Sequence, residues 1–246
     1  RVGAGTTTPQ KTLEVAGPMR ITDGLSNVCD LSIGLVQATS GFDTGTEIVP
    51  PSHQAGDNFS KCALSADGTR MIVGSPGIRK AHIFAYNNGS WSHEVTFTEG
   101  RTSYGRDVGI SADGTKVIIG QNGYAYIKVY NGSAWVNAGN GYIGSNNYGF
   151  GHSVAISGDG TKVLVGIWQA DIGTTDTGSA ELFTVNVNGY YTSTQTFYAS
   201  DRQSYDYYGA LSCSLDFLGN TAVIGAFAED TGGSAAGAAY VHSYDG

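Results

Sequence analysis

The sequence predicts an all-β fold: a β-propeller, complete or partial, of about four antiparallel four-stranded blades. Three observations predict it. Asp-Gly pairs recur at Asp67-Gly68, Asp113-Gly114 and Asp159-Gly160, each 46 residues after the one before. A short apolar run precedes each pair, and a continuous run rich in β-branched residues follows it. A third run in each copy then leads into another Asn-Gly or Asp-Gly pair. Several strands joined by tight turns in a unit of about 45 residues is the pattern of a propeller blade, which hides its apolar faces on its neighbours.

The chain divides into a β-rich N-terminal segment over residues 1–54, read as a linker or assembly arm, and repeats over 55–246. Residues 1–10 are small and polar and read as a flexible lead-in. Thr12 to Thr22 alternates apolar and polar residues around Gly17-Pro18, which predicts two short strands with a turn or bulge. A turn at Asp23-Gly24 and a strand over Val28 to Ile33 follow. This segment resembles the repetitive β segments of viral and phage fibres. Residues 38–57 read as loop, because Pro50-Pro51 stops any regular element.

The repeats run over about 55–100, 101–146, 147–204 and 205–246. Their first strands are Cys62–Ser65, Val108–Ser111, Val154–Ser157 and Cys213–Leu215. Their second strands are Met71–Gly74, Val117–Gly120, Val163–Gly166 and Ala222–Gly225, whose unbroken apolar character suits strands covered on both faces. An Asp-Gly pair between such strands predicts a two-residue hairpin with both residues at positive φ. Third strands follow at Ala81–Tyr86, Ala125–Tyr130, Ala180–Val185 and Ala239–Tyr244, and aromatics at Trp91, Trp135 and Tyr190 open the fourth. The fourth copy stops at its turn, Asp245-Gly246, so its last strand is missing and leaves an open edge. A strand from residues 12–22 or 43–49, or from another subunit, is expected to complete it.

The best-formed copy carries Phe150-Gly151, Ser153-Val154-Ala155, Gly158-Asp159-Gly160 and Val165-Gly166. It resembles the FG-GAP repeat of integrin-type β-propellers. Tyr104-Gly105 and Tyr208-Gly209 are looser versions, and Asn58-Phe59 replaces the pair in the first copy. The resemblance covers about residues 55–246 and implies a scaffold without fixing a function.

Composition bounds the partners. Charged residues are 14% of the chain, the formal net charge is −8, and there are 37 Gly and 15 Tyr. That balance argues against a nucleic-acid groove or an anionic membrane surface as partner. It suits an extracellular or virion-surface β protein. No run approaches the length of a membrane-spanning helix, and no secretory signal is read at Arg1-Val2-Gly3.

Chemistry-bearing residues are few. Three cysteines form no disulfide framework. Cys62 and Cys213 sit at apolar repeat positions and read as small buried hydrophobes, with Cys29 undecided. The resembled family implies calcium loops of the form Asp-x-Asp-x-Asp-Gly, and this chain has none. The nearest candidates are Asp171, Asp176, Glu229 and Asp230, and the expectation is no cofactor, with calcium as the one alternative. His53, His82, His93, His152 and His242 lack metal-ligand spacing and read as structural. Sequons at Asn58, Asn88 and Asn131 are glycosylation candidates if the protein is secreted, though two of them coincide with turns. Tyrosines concentrate in the long third-repeat insertion, and Tyr190, Tyr191, Tyr198, Tyr205 and Tyr207 form a candidate face for protein or glycan.

The function read from these residues is a non-enzymatic structural and adhesion module that contacts partners through inter-blade loops and self-associates or assembles with other structural subunits. The alternatives are a propeller-based hydrolase or lyase and a calcium-dependent integrin-like receptor domain.

Overall fold

A computed structural model describes the backbone of residues 19–22 and 28–31, and residues 45–59, 61–144 and 149–244 in full. The chain forms two compact units, Arg1–Glu47 and Ile48–Gly246. In the first, β1 (Met19–Thr22) pairs antiparallel with β2 (Val28–Leu31), with Met19 opposite Leu31 and Thr22 opposite Val28. The strand expected within 12–16 and the turn at Asp23-Gly24 lie outside the described residues.

The second unit is all β: no helix occurs among the described residues. Its first sheet is β3 (Cys62–Leu64), β4 (Arg70–Ser75), β5 (Lys80–Asn87) and β6 (Ser90–Thr98). The second is β7 (Val108–Ile110), β8 (Lys116–Gln121), β9 (Tyr124–Tyr130) and β10 (Trp135–Ile143). The third is β11 (Phe150–Ile156), β12 (Lys162–Ile167), β13 (Ser179–Val185) and β14 (Tyr191–Phe197). The fourth has three strands, β15 (Tyr208–Leu215), β16 (Thr221–Ala226) and β17 (Ala238–Ser243). Every sheet is an antiparallel meander in chain order, so the expected blade plan holds.

The second strand of each blade is apolar throughout because each of its faces meets a different neighbour. Ile118 of β8 packs forward with Val154, Val163 and Phe183 of the third sheet. Val117 and Ile119, on the other face, pack back with Ile72 and Ile83 of the first. Leu164 repeats the forward role toward Ala222 and Ile224 of the fourth sheet. Burying a side chain of this size stabilises by roughly 1.5–3 kcal/mol, so these three interfaces hold the blades together. The close approach needs glycine at one position: a Cβ on Gly166 would lie 1.9 Å from the Gly209 carbonyl oxygen. The three core clusters join sheet one to two, two to three and three to four. None among the described residues joins four to one, so the blades form an open arc.

The hairpins between first and second strands correct the expected turn. Gly68, Gly114 and Gly160 take positive φ, but Asp67, Asp113 and Asp159 do not. The chain closes instead through Ser65 N–H to Arg70 O at 2.9 Å, giving a longer loop. The aspartate organises it: Asp67 Oδ1 accepts from Ser65 Oγ at 2.7 Å and from Thr69 N–H at 3.0 Å. Ser111, Asp113, Thr115 and then Ser157, Asp159, Thr161 repeat the arrangement. In the fourth copy Asp216 replaces the serine and accepts from Asn220 and Thr221 N–H directly. Neighbouring loops are tied together by Ala66 N–H to Ala112 O, Ala112 N–H to Gly158 O and Asp159 N–H to Phe217 O. A true two-residue turn occurs at Asn88-Gly89, where both residues have positive φ (50° and 82°).

Two further expectations change. Cys62 is exposed rather than buried. It pairs with Val73 as Val108 pairs with Ile119 and Val154 with Val165. Those valines are covered by the preceding sheet, and among the described residues of the second unit no sheet precedes the first. Cys213 is half-buried, its thiol faces the Leu164 carbonyl at 3.7 Å, and burial pushes its pKa up to about 12. Residues 45–49, the described part of the proposed completing strand 43–49, form no strand.

Candidate functional site

The site that departs most from the repeat is the outer side of the fourth sheet. Register makes the comparison direct. Ile72 lies opposite Ile83, Ile118 opposite Ile127, Leu164 opposite Leu182, and Val223 opposite Val241. Ile72, Ile118 and Leu164 are 0% exposed, whereas Val223 is 39% exposed. Ile83, Ile127 and Leu182 are all buried, whereas Val241 is 65% exposed. Ala81, Ala125 and Ala180 are fully buried and Ala239, in the same place, is exposed. The same chemistry therefore faces a neighbouring blade three times and solvent once.

Beside that face lies the open edge. β17 is paired with β16 alone, so its other edge carries unpaired backbone groups among the described residues. Between it and the outer strands of the third sheet runs a groove of about 780 Å³. Leu182, Thr194, Gln195, Phe197, Val241 and His242 are among its walls. His242 is fixed there: Tyr208 Oη and His242 Nε2 are 2.6 Å apart, and Phe197 packs on the imidazole at 4.8 Å. Burial holds the His242 pKa below its ordinary value, so His242 is neutral near pH 7, and Lys162 also lines the groove. The groove offers an edge of hydrogen-bonding groups beside a mixed lining of apolar and polar side chains, which suits an added β-strand.

The expected tyrosine face is divided. Tyr190 and Tyr191 stand at the start of β14 and Tyr198 just beyond its end, roughly 20 Å of strand apart. Tyr191 is a packing residue: its hydroxyl donates to Gly160 O at 2.6 Å, and burial, helped by Asp159, pushes its pKa up to about 12. Tyr198 lies under the Arg202 guanidinium at 4.6 Å. Tyr205 and Tyr207 do come together, 6.1 Å apart, with φ of 70° and 54°. Their backbones are anchored on the 171–178 loop by bonds to Thr175 O and Asp176 O. Tyr207 stacks on Phe227 at 5.4 Å and packs on Trp168, which packs on His152. This ladder crosses from the third sheet to the fourth, and nothing in the sequence spacing marks Trp168 or Phe227 as part of it.

The acidic candidates sit in separate loops. Asp171 Oδ1 accepts from Asp176 N–H at 2.7 Å, and Glu229 Oε1 accepts from Thr231 N–H at 2.8 Å. Asp230 Oδ1 accepts from the Gln203 amide. Among the described residues no three acids, histidines or cysteines are grouped to hold a metal. The sequon residues Asn58, Asn88 and Asn131 are all exposed. The histidines are engaged in packing: His82 Nδ1 and His93 Nε2 both meet Thr96 Oγ1, at 3.0 and 2.9 Å, and His152 Nδ1 meets the Ala210 carbonyl.

Residues 191–242 match the family model of the FG-GAP repeat. This stretch is similar to an FG-GAP repeat. It starts on β14, the last strand of the third sheet, and ends on β17. The matched stretch therefore spans the last strand of the third sheet and the three strands of the fourth. No curated protein matches the sequence. Among solved structures, the chain is similar to Kuenenia stuttgartiensis hydrazine synthase, at 13% identity and a TM-score of 0.54, covering 82% of this chain and 49% of that one. It is also similar to a protein from Lactobacillus plantarum, at 17% identity and a TM-score of 0.51, covering 76% of this chain and 51% of that one. Likeness at these identities shows the β-propeller fold and no chemistry. The chain spans about half the length of these solved structures. An FG-GAP-repeat propeller fold supports a binding or structural module.

Proposed function

We propose that the protein is a non-enzymatic structural and binding module of an extracellular or virion surface, and that it works by assembly with a second copy of itself. One observation carries the reading: Val223 and Val241 are solvent-exposed where their three counterparts are buried under a next blade. The blade interface is already made three times within this chain, which supports the near side of another blade as the cover for such a face. The first sheet offers one, because Cys62 and Leu64 on its near side are exposed. Neither set of residues is charged, so the two faces meet without desolvating an ion. A strand laid along β17 fills the groove in the same step. The aromatic ladder at Tyr205, Tyr207 and Phe227 and the exposed sequons suit an outward surface.

Native mass or light scattering of the 246-residue chain tests this. We expect an oligomer at micromolar concentration and a folded monomer for Val241→Lys. A monomer throughout the micromolar range sinks the reading, as does a Val241→Lys variant that assembles like the parent.

A further inference from the structure

The first strands of the four sheets lie side by side and form the inner side of the arc. At their leading ends is a pocket of about 390 Å³, with Asn58, Lys61, Ser103, Arg106, His152 and Leu211 on its wall. Residues of all four sheets, or of the segments leading into them, meet there. We propose that this pocket binds the oxyanion group of a small ligand, a carboxylate or a phosphate, between Lys61 and Arg106.

The charge pattern points to it. The chain has 13 Lys and Arg against 21 Asp and Glu, and no carboxylate lines this pocket. Several basic residues elsewhere are engaged: Arg70 pairs with Glu94, Lys128 with Glu99, and Lys116 and Lys162 reach loop carbonyls. Among the described residues the side chains of Lys61 and Arg106 make no ion pair or hydrogen bond. Arg106 is half-buried, and that burial lowers its pKa, opposed by Asp107. A half-buried guanidinium with unmatched N–H groups is costly, and a bidentate oxyanion is the partner whose geometry fits it.

The nearest carboxylate does not take that role. Asp107 Oδ2 accepts from Val154 N–H at 2.8 Å, tying the second sheet to the third. Burial raises its pKa, while that bond, Lys61 and Arg106 pull it down. It offsets part of the positive charge from behind the wall. His152 spends Nδ1 on the Ala210 carbonyl, and burial followed by Arg106 and Lys61 keeps its pKa low, so it adds a neutral wall near pH 7.

The backbone shapes the wall: Asn58 and Ser103, at positive φ of 51° and 66°, both line the pocket. The volume lies within the range of small-molecule sites.

The test is calorimetric titration of the full chain at fixed ionic strength with inorganic phosphate, acetate and glucuronate. We expect saturable binding of at least one probe, weakened tenfold or more in Arg106→Gln and Lys61→Gln and unchanged in Arg101→Gln, whose guanidinium lies over Tyr124. Phosphate binding without glucuronate, or the reverse, identifies the headgroup. If Arg106→Gln fails to fold, Lys61→Gln at an exposed position decides. No saturable binding by any probe overturns the proposal, and so does equal affinity in a folded Arg106→Gln or Lys61→Gln protein.

Discussion

Leu164 and Val223 occupy the same place in successive blades, each opposite the apolar residue of the third strand, and truncating each to alanine measures what a next blade contributes. Leu164 is fully buried among Ala180, Leu182, Ala222 and Ile224. Leu164→Ala removes that contact and leaves a cavity, at a cost of about 3 kcal/mol. For a domain of this size that lowers Tm by roughly 6–12 °C. Val223→Ala removes two methyl groups from a residue already 39% exposed, so in the monomer it costs under about 1 kcal/mol and less than about 4 °C. Thermal unfolding followed by circular dichroism, at submicromolar and at tens of micromolar protein, reads both values. The Leu164→Ala loss is expected at both concentrations. The Val223→Ala loss is expected to grow with concentration, as a second copy covers the face. A Val223→Ala loss equal to that of Leu164→Ala in the dilute monomer would refute the open-face argument, since some other part of the chain would then be covering it.

The acid limb of stability should be set by the loop aspartates. Bonds from Ser65 and then Thr69 lower Asp67 to about 2; in Asp113 and Asp159 burial opposes the shift but bonds from serine and threonine prevail, and Asp216 is lowered by Thr221 and Asn220. Groups with depressed folded pKa values stabilise above the unfolded value near 4 and lose that contribution as pH falls toward 2, so Tm should drop over this window. The desolvated Asp107 and Asp206 act in the opposite sense. Replacing Asp113 and Asp159 by Asn should flatten the limb, and an unchanged profile would count against it. In a Cys29→Ser background, a thiol reagent should label Cys62 in the native protein and Cys213 only on unfolding. Rapid labelling of both would contradict the packing of the fourth sheet on the third.

Much of the fold was legible because a repeat declares itself four times. The apolar runs of β4, β8 and β12 revealed strands covered on both faces. The turns were less legible: Asp-Gly suggested two positive-φ residues, but the serine and threonine around each aspartate satisfy its carboxylate and draw the loop wider. The buried-cysteine reading failed at Cys62 because a repeat position specifies which face a side chain takes, not whether a neighbour stands in front of it. The tyrosine face failed for a similar reason, since β14 carries its flanking tyrosines to opposite ends. The axial pocket had no sequence signature. Lys61, Arg106 and His152 come from three different repeats and meet only because the first strands converge.

The sequence by itself determined the local elements. Alternation, β-branched runs, and glycine or asparagine at the turns are short-range constraints, written within a few residues of where they act. Only the tertiary structure decided which copies are covered and which are bare. Burial depends on what another blade places opposite, and four nearly equivalent units acquire different surroundings through their order in the arc. Val223 is as apolar as Leu164, and it is exposed because no blade among the described residues packs on it.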